Sequence, residues 1–312
     1  MSEIRKVIPL GFKHQEKAQD ENLMPKFNPK IWDYPGTCIQ SAKKFYPVIE
    51  KEYPSALSQL GTLGGGNHFI EIQKGSDGFI YIMLHSGSRN LGKTVADYYN
   101  KLAEKMNTKW YGSVPKGAQL AYLPLDSEEG ENYIREMKYC VDFALANRKL
   151  MMNRIMDIFT NKKECGFPDL IKGSEDFINI AHNYAQMESH FGENVMIHRK
   201  GATLAREDTI GIIPGSQGTK SYIVKGKGNP ESFNSCSHGA GRALSRSKAR
   251  EKLNLEEEIK KLDDQGVIHS IRSQQDLDEA AGAYKSIDEV MANQEDLVEI
   301  LVELTPLAVI KA

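Results

Sequence analysis

The sequence lacks the cysteine patterns of a disulfide framework and of a four-cysteine zinc site. Its 312 residues include four cysteines, Cys38, Cys140, Cys165 and Cys236, which lie far apart and form no C-x-x-C pair. The N-terminal residues also lack the apolar segment of a secretory signal peptide. We therefore expect a reducing environment and a cytoplasmic location.

Long apolar runs and a strong excess of one charge are also absent. The longest apolar runs, such as residues 307–310, fall far short of the roughly 20 residues that cross a bilayer. We therefore expect no membrane partner. Forty basic side chains stand against 42 acidic ones, a formal net charge of −2. This balance argues against histone-like, non-specific binding of nucleic acid. It is compatible with a local basic patch.

The chain shows no internal repeat and no low-complexity linker, so a single α+β domain is favoured over two domains. Helical spacing predicts helices over residues 93–107, 131–159, 253–262, 287–291 and 296–304. Short apolar runs predict strands over residues 67–72, 79–84, 177–180, 195–197, 210–213, 221–224 and 307–311. The proline-rich N-terminal stretch predicts irregular structure, with one short helix over residues 40–45 ahead of Pro47.

Four histidines share a local context, because each lies at the edge of an apolar run and beside small or amide residues. They are His68, His85, His182 and His238. Any one of them alone is more often a structural residue. Together they favour a metal site, because neutral imidazole is a common metal ligand and neighbouring strand ends can present several rings to one ion. The other four, His14, His190, His198 and His269, lie in polar surroundings and are expected to be structural.

Glycine-rich turns accompany these histidines at residues 61–67, 85–89, 214–220 and 238–242. Glycine lets backbone N–H groups converge on phosphate oxygens, and Arg89, Lys220 and Arg242 are placed to add positive charge. Each turn alone is more often only a tight turn. None matches the Walker pattern or a dinucleotide fingerprint, so a nucleotide site here is of another kind.

The segment S-C-S-H-G-A-G-R at residues 235–242 offers three kinds of nucleophile. A serine or cysteine with a histidine partner fits poorly, because adjacent side chains point apart and no G-x-S-x-G elbow is present. Cys236 is more often a small buried hydrophobic residue. His238 can itself hold a phosphoryl or nucleotidyl group, provided that metal and arginine groups neutralise the phosphate.

Several longer motifs occur in a fixed order along the chain. They are L-G-T-L-G-G-G-N-H-F-I-E-I, I-M-L-H-S-G-S-R, H-N-Y-A-Q, H-R-K-G-A-T, G-I-I-P-G-S-Q-G-T-K-S-Y-I-V and S-C-S-H-G-A-G-R-A-L-S-R. This set strongly resembles the RtcB-type RNA-splicing ligases, from about Ile8 to the C-terminal V-I-K-A. The resemblance implies an α+β, RtcB-like single domain over residues 1–312, in which short strands form a central site and helices pack around it.

The resemblance also implies a GTP- and manganese-dependent ligase of tRNA splicing or RNA repair. Such a ligase joins an RNA 3′-phosphate or 2′,3′-cyclic phosphate end to a 5′-hydroxyl end, and His238 would take GMP from GTP. No DNA specificity is expected, and an accessory activating protein is a candidate partner. The implied ligands of two Mn²⁺ ions include His68, His85 and His182. The implied nucleotide contacts are Asn67, Glu71, Asn183, Ser216, His238, Gly239, Gly241 and Lys311, and the implied phosphate or RNA contacts are Arg89 and Arg242.

One family motif has no counterpart here. Family members carry an upstream D-x-G-C-G-M segment whose Asp and Cys complete the two-metal site. Without it we expect an N-terminally truncated domain, in which His68 alone serves one metal and His85 with His182 serves the other. Two hypotheses follow: a ligase whose beginning is lost, or a truncated, catalytically impaired homologue that binds GTP or RNA without ligating. A metallohydrolase, the reading from local chemistry alone, ranks below both.

Overall fold

A computed structural model describes residues 1–27, 46–110, 112, 114–115, 117–160 and 177–311. The chain forms two compact units. The sheet unit comprises Met1–Lys13, Leu63–Ser86 and Met151–Ala312, and the helical unit comprises His14–Thr62 and Gly87–Leu150. That one ligase domain covers residues 1–312 stays a prediction.

The helices and strands of the described residues are numbered here in chain order. The α-helices are α1 Ser2–Val7, α2 Pro47–Gln59, α3 Arg89–Lys109, α4 Glu128–Thr160, α5 Arg246–Lys252, α6 Leu255–Asp264 and α7 Ile287–Ala292. The strands are β1 Phe69–Gly75, β2 Ile80–His85, β3 Asn183–His190, β4 Glu193–Lys200, β5 Ala202–Leu204, β6 Ile210–Ile213, β7 Ser221–Gly226, β8 Ser235–Ser237 and β9 Val298–Ile310. Within the ranges described, no helix is both long enough and apolar enough to span a membrane.

The helical unit is built on α2, α3 and the first part of α4. Leu57, Leu91, Val95 and Phe143 belong to its buried core. Pro47 begins α2, because the first position of a helix needs no N–H donor. The predicted helix over residues 40–45 lies outside the described residues.

The sheet unit contains a five-stranded antiparallel sheet in the order β2-β1-β9-β7-β6. Two smaller ribbons pair β3 with β4 and β5 with β8. Side chains alternate between the faces of a strand. On β1, Ile70 packs with Leu63 and Ile310 in an apolar core, whereas Phe69 and Glu71 line a cavity. The predicted α+β class is confirmed.

Most of the predicted elements are present, and three predictions are wrong. The N-terminal stretch, predicted to be irregular ahead of residue 40, begins with the helix α1, because Ile4 is buried in an apolar core. Residues 296–304, predicted as a helix, enter β9 instead. Leu297, Leu301 and Leu304 have helical spacing, but β9 pairs with β1 on one side and β7 on the other. Two hydrogen-bonded ladders satisfy its backbone and override the local pattern. Residues 177–180, predicted as a strand, form no strand.

Candidate active site

The candidate site is a cavity of about 240 Å³ within the sheet unit. Many of the residues singled out from the sequence share its wall. They are Asn67, Glu71, His85, Ser216, His238, Gly239, Gly241, Arg242 and Lys311. These residues come from five separate segments, so tertiary folding assembles the cavity.

The four histidines of the strand ends form a row beside this cavity. His68 precedes β1, His85 ends β2, His182 precedes β3 and His238 follows β8. The ring centroids are 5.6 Å apart between His68 and His85 and 5.0 Å apart between His85 and His182. The rings of His182 and His238 stack, with centroids 4.9 Å apart. Strand ends thus place four imidazoles side by side.

His238 is held in the neutral form by its surroundings. Burial lowers the pKa of its imidazole, and a hydrogen bond with the backbone of Gly201 only partly opposes this shift. Gly201 has a φ of +68°, and a Cβ at this position would lie 3.0 Å from Cε1 of His238. Because neutral imidazole keeps a lone pair on one nitrogen, His238 can act as a nucleophile near neutral pH.

The serines and the cysteine next to His238 have structural contacts. Cys236 is buried, burial raises the pKa of its thiol, and its Sγ lies 3.1 Å from Oγ1 of Thr203. The Ser237 hydroxyl donates to the carbonyl of Gly239 at 2.6 Å. The Ser235 hydroxyl oxygen accepts from Nε of Arg199 at 3.0 Å. A thiol kept protonated is a poor nucleophile, so His238 is the best candidate among the side chains of this segment.

The P-G-S-Q-G-T-K turn, residues 214–220, lies against the His238 segment. The Ala240 N–H donates to the Pro214 carbonyl at 3.1 Å. A Cβ at Gly215 would lie 2.2 Å from the carbonyl oxygen of Lys220, so only glycine fits this turn. The turn places Ser216 in the cavity wall.

A group of charged side chains occupies one end of the cavity. Glu279 is buried and lies 3.1 Å from Arg242, 2.8 Å from Arg246 and 3.7 Å from Lys311. Burial alone would raise the pKa of Glu279, but these cations and a hydrogen bond from Tyr284 lower it. Three cations therefore face one carboxylate, and the excess positive charge suits a phosphate-bearing ligand.

Sequence reasoning missed four residues that line this cavity: Gln217, Arg246, Glu279 and Tyr284. The spacing R-A-L-S-R, which puts Arg246 four residues after Arg242, was the one available signal. Glu279 lies in the short 3-10 helix Gln274–Glu279, whose sequence resembles any solvated acidic segment. Its contacts with Arg242 and Lys311 depend on the tertiary fold.

Glu71 is a buried carboxylate in the cavity wall. Burial raises its pKa to about 7, although the positive charge of Lys311 and a hydrogen bond from Gln73 act in the opposite direction. With this pKa, the protonated and ionised forms of the Glu71 carboxyl are both populated near neutral pH.

The family of the chain is shown by comparison with known proteins. The family model described as tRNA-splicing ligase RtcB matches residues 6–312. The chain belongs to the RtcB family. The RNA-splicing ligase RtcB of Escherichia coli (strain K12) is 40% identical over 273 residues, covering 85% of this chain and 65% of that protein. The tRNA-splicing ligase RtcB of Nanoarchaeum equitans is 36% identical over 290 residues, covering 81% of this chain and 60% of that protein.

The chain spans less than two thirds of the length of these relatives. The chain spans 65% of the Escherichia coli protein and 60% of the Nanoarchaeum equitans protein. The tRNA-splicing ligase RtcB of Thermococcus kodakarensis, 33% identical over 300 residues, is covered over 62% of its length. The match over residues 6–312 shows the family.

Four residues implied by the RtcB resemblance do not line the cavity; they are His68, Asn183, Arg89 and His182. The ring of His68 lies beside that of His85, with centroids 5.6 Å apart. Asn183 begins β3, and its side-chain oxygen accepts from the Gly201 N–H at 3.2 Å. Arg89 begins α3 in the helical unit, where its Nε donates to Oγ1 of Thr62 at 3.0 Å. His182 reaches the site through its stack on His238. Their roles stay predictions.

The imidazoles are a ligand type that suits the metal implied by the RtcB family. In the part of the chain that the structure describes, their number is too small to form a complete site. His85 is neutral, because burial and the nearby His182, His68 and His238 lower its pKa well below the usual value. Neutral imidazole is the form that binds a metal. Among the residues that the structure describes, however, no group of three or more His, Cys, Asp or Glu side chains could hold an ion. Within the described residues, these histidines therefore do not form a complete metal-ligand set, and their role as metal ligands stays a prediction.

Proposed function

We propose that this RtcB chain carries the nucleotide-transfer centre of an RNA ligase. The ligase would join RNA 3′-phosphate or 2′,3′-cyclic phosphate ends to 5′-hydroxyl ends. One observation carries the proposal: a partly buried His238, whose pKa is lowered by burial, shares the wall of one cavity with the cations Arg242, Arg246 and Lys311. The ligase names of the relatives support the same reading.

The proposed reaction uses His238 as the nucleophile. A ring nitrogen of His238 attacks the α-phosphorus of GTP, a P–N bond forms, and the P–O bond to the leaving pyrophosphate breaks. An oxygen of the RNA 3′-phosphate then attacks the same phosphorus and the P–N bond breaks, which returns His238 to its neutral form. A 2′,3′-cyclic phosphate end first reacts with water, which breaks the P–O2′ bond and leaves the 3′-phosphate and a 2′-hydroxyl. Finally the 5′-hydroxyl attacks the activated 3′-phosphorus, loses its proton to solvent, and GMP leaves.

The remaining cavity residues have roles that follow from their charge. Arg242, Arg246 and Lys311 would neutralise the phosphates, because charge-assisted hydrogen bonds to cations are the strongest way to hold them. The Glu71 carboxylate would accept hydrogen bonds from the N–H groups of a guanine base. Ser216 and the backbone N–H groups of Gly239 and Gly241 would complete the nucleotide contacts.

Manganese is proposed as the metal of this site. His68, His85 and His182 would supply imidazole nitrogen, which together with oxygen ligands suits Mn²⁺. A bound ion would polarise the phosphates and stabilise the charge that develops on them. Phosphate oxygens of the nucleotide are candidates for the missing ligands.

A second function is favoured by one observation, the absence of a complete metal-ligand set among the described residues. In this alternative the chain binds GTP or RNA without ligating. The substrate of the ligase function would be RNA with a 3′-phosphate or 2′,3′-cyclic phosphate end and a 5′-hydroxyl end, in tRNA splicing or in RNA repair. A cytoplasmic location and an accessory activating protein stay predictions.

The test is covalent capture of the nucleotide. The 312-residue chain is incubated with α-labelled GTP and Mn²⁺, denatured, and examined for an acid-labile GMP adduct, and then for joining of a 3′-phosphate RNA to a 5′-hydroxyl RNA. We expect the adduct to form, to disappear in His238→Ala and to persist in His198→Ala. The control is apt because His198 is exposed on β4. GTP binding without an adduct would favour the binding function instead.

A further inference from the structure

Gln73 occupies an unusual position behind the cavity. It is fully buried on β1, two residues after Glu71. Its side-chain Nε2 donates to Oε2 of Glu71 at 2.6 Å and to Oγ of Ser221 at 3.2 Å. The pairing of β1 with β9 shifts register between Ile72 and Gln73, an irregularity that often lies next to active sites.

The same network reaches the turn that carries Ser216. The Ser221 hydroxyl oxygen accepts from the Gly215 N–H at 3.1 Å. A single amide therefore connects the cavity carboxylate of Glu71 with the turn at residues 214–220. Two parts of the cavity wall that are far apart in sequence are held in one arrangement by Gln73.

The orientation of the Glu71 carboxylate decides which base it can read. Guanine offers two adjacent donors, N1–H and the N2 amine, to a carboxylate. Hypoxanthine lacks the amine, and adenine presents an acceptor at N1. Each carboxylate oxygen has two acceptor sites, so Oε2 can accept from Gln73 and from a base together. Both contacts with guanine form only if the carboxylate plane is fixed.

We propose that Gln73 is a positioning residue that sets selectivity for guanine by fixing the Glu71 carboxylate relative to the Ser216 turn. The inference rests on the proposed guanine nucleotide site. Gln73 acts through Glu71 and need not touch the nucleotide, since it does not line the cavity. A purely structural amide would change stability without changing the choice of base.

The experiment compares binding of GTP, ITP and ATP by calorimetry. Gln73→Met keeps the length of the side chain and removes its amide. The control, Gln59→Met, removes another buried amide, whose Nε2 donates to Oγ of Ser55 at 2.9 Å in the helical unit. We expect the unsubstituted chain to prefer GTP over ITP. Gln73→Met should lower that preference about tenfold, which is the scale of a hydrogen bond to a charged group, and Gln59→Met should leave it unchanged.

The possible results distinguish failure of the role of Gln73 from failure of the proposed guanine nucleotide site. If the folded Gln73→Met protein keeps the GTP-to-ITP preference, the role of Gln73 is overturned and the guanine site stands. If the unsubstituted chain shows no preference for GTP, the guanine site itself is wrong. Should Gln73→Met fail to fold, Ser221→Ala breaks the link to the turn and must also lower the preference. An unchanged preference in Ser221→Ala would overturn the inference.

Discussion

The imidazole rings of His182 and His238 stack with their centroids 4.9 Å apart and an interplanar angle of 30°. The two rings come from segments more than 50 residues apart. Gly201 joins them, because its N–H donates to the His182 carbonyl at 2.9 Å and its Cα faces the His238 ring. The predicted nucleophile is thus packed against a predicted metal ligand, and its position depends on both neighbours.

Gly201→Ala should reduce GMP transfer far more than it reduces stability. A Cβ at Gly201 would lie 3.0 Å from Cε1 of His238 and would displace the ring. A misplacement of about 1 Å can lower a rate on the order of a hundredfold. The measurement is the rate of adduct formation, together with the midpoint of thermal unfolding.

Gly192→Ala is the matched control for this change. Gly192 has a φ of +82°, close to the +68° of Gly201, but nothing lies within 4 Å of its added Cβ. Both variants should lose roughly 1–2 kcal/mol from backbone strain. Equal losses of adduct formation in the two variants would show that strain, and not contact with His238, is responsible.

Glu188→Gln should make the folded chain less stable and less sensitive to acid. Burial alone would raise the pKa of Glu188, but hydrogen bonds and charges from Arg199, His190 and Arg206 hold it at about 2. A carboxyl whose pKa is lowered by folding stabilises the protein above its unfolded pKa. That stability is lost as the pH falls from about 4.5 towards 2. Urea unfolding between pH 7 and pH 3 measures it.

The expected size follows from burial of the ion pair. Both side chains of the Arg199–Glu188 pair are 1% exposed, and breaking a buried pair by removing one charge costs about 3–5 kcal/mol. Asp97→Asn breaks the exposed pair with Lys93 on α3 and should change stability by less than about 1 kcal/mol. The prediction fails if the two variants are equally stable at pH 7.

Glu71→Gln should stabilise the nucleotide-free protein more at pH 8 than at pH 5. Burial raises the pKa of Glu71 to about 7, so the folded state holds an extra proton between the unfolded pKa and pH 7. Stability therefore falls as the pH rises through this window, by up to about 3 kcal/mol. Thermal unfolding of both proteins across this range tests the sign. A difference that does not depend on pH would contradict it.

Arg242→Ala should weaken GTP binding about tenfold or more, because it removes a cation from the charged end of the cavity. Its guanidinium forms an ion pair with Glu279 at 3.1 Å and donates a hydrogen bond to the Leu244 carbonyl at 2.9 Å. These contacts fix its position in the cavity wall, where it would contact a phosphate. Lys220→Ala is the control, since Lys220 is exposed and pairs with Glu303. Calorimetry at two salt concentrations should show a smaller salt dependence for Arg242→Ala. Equal affinities of the two variants would exclude a phosphate contact by Arg242.

Local sequence determined the features that rest on short-range physics. Short apolar runs predicted β1 and β2, and helical spacing predicted α3 and α4. The histidines beside small residues at the edges of apolar runs predicted that four rings would lie at neighbouring strand ends. The order of the motifs alone was enough to indicate the RtcB family. At Gly215 the atoms of the same turn leave no room for a Cβ, so the glycine is required by the turn itself.

Only the tertiary structure decided the features that depend on distant partners. Residues 296–304 have the spacing of a helix and become a strand because β1 and β7 supply hydrogen bonds on both sides. Glu279 becomes the centre of a cationic group because folding brings Arg242 and Lys311 to it. Gln73 is an ordinary strand residue in the sequence, and gains a role only where Glu71 and Ser221 meet its amide. Pairing and burial act between residues far apart in the chain, so no local pattern reveals them.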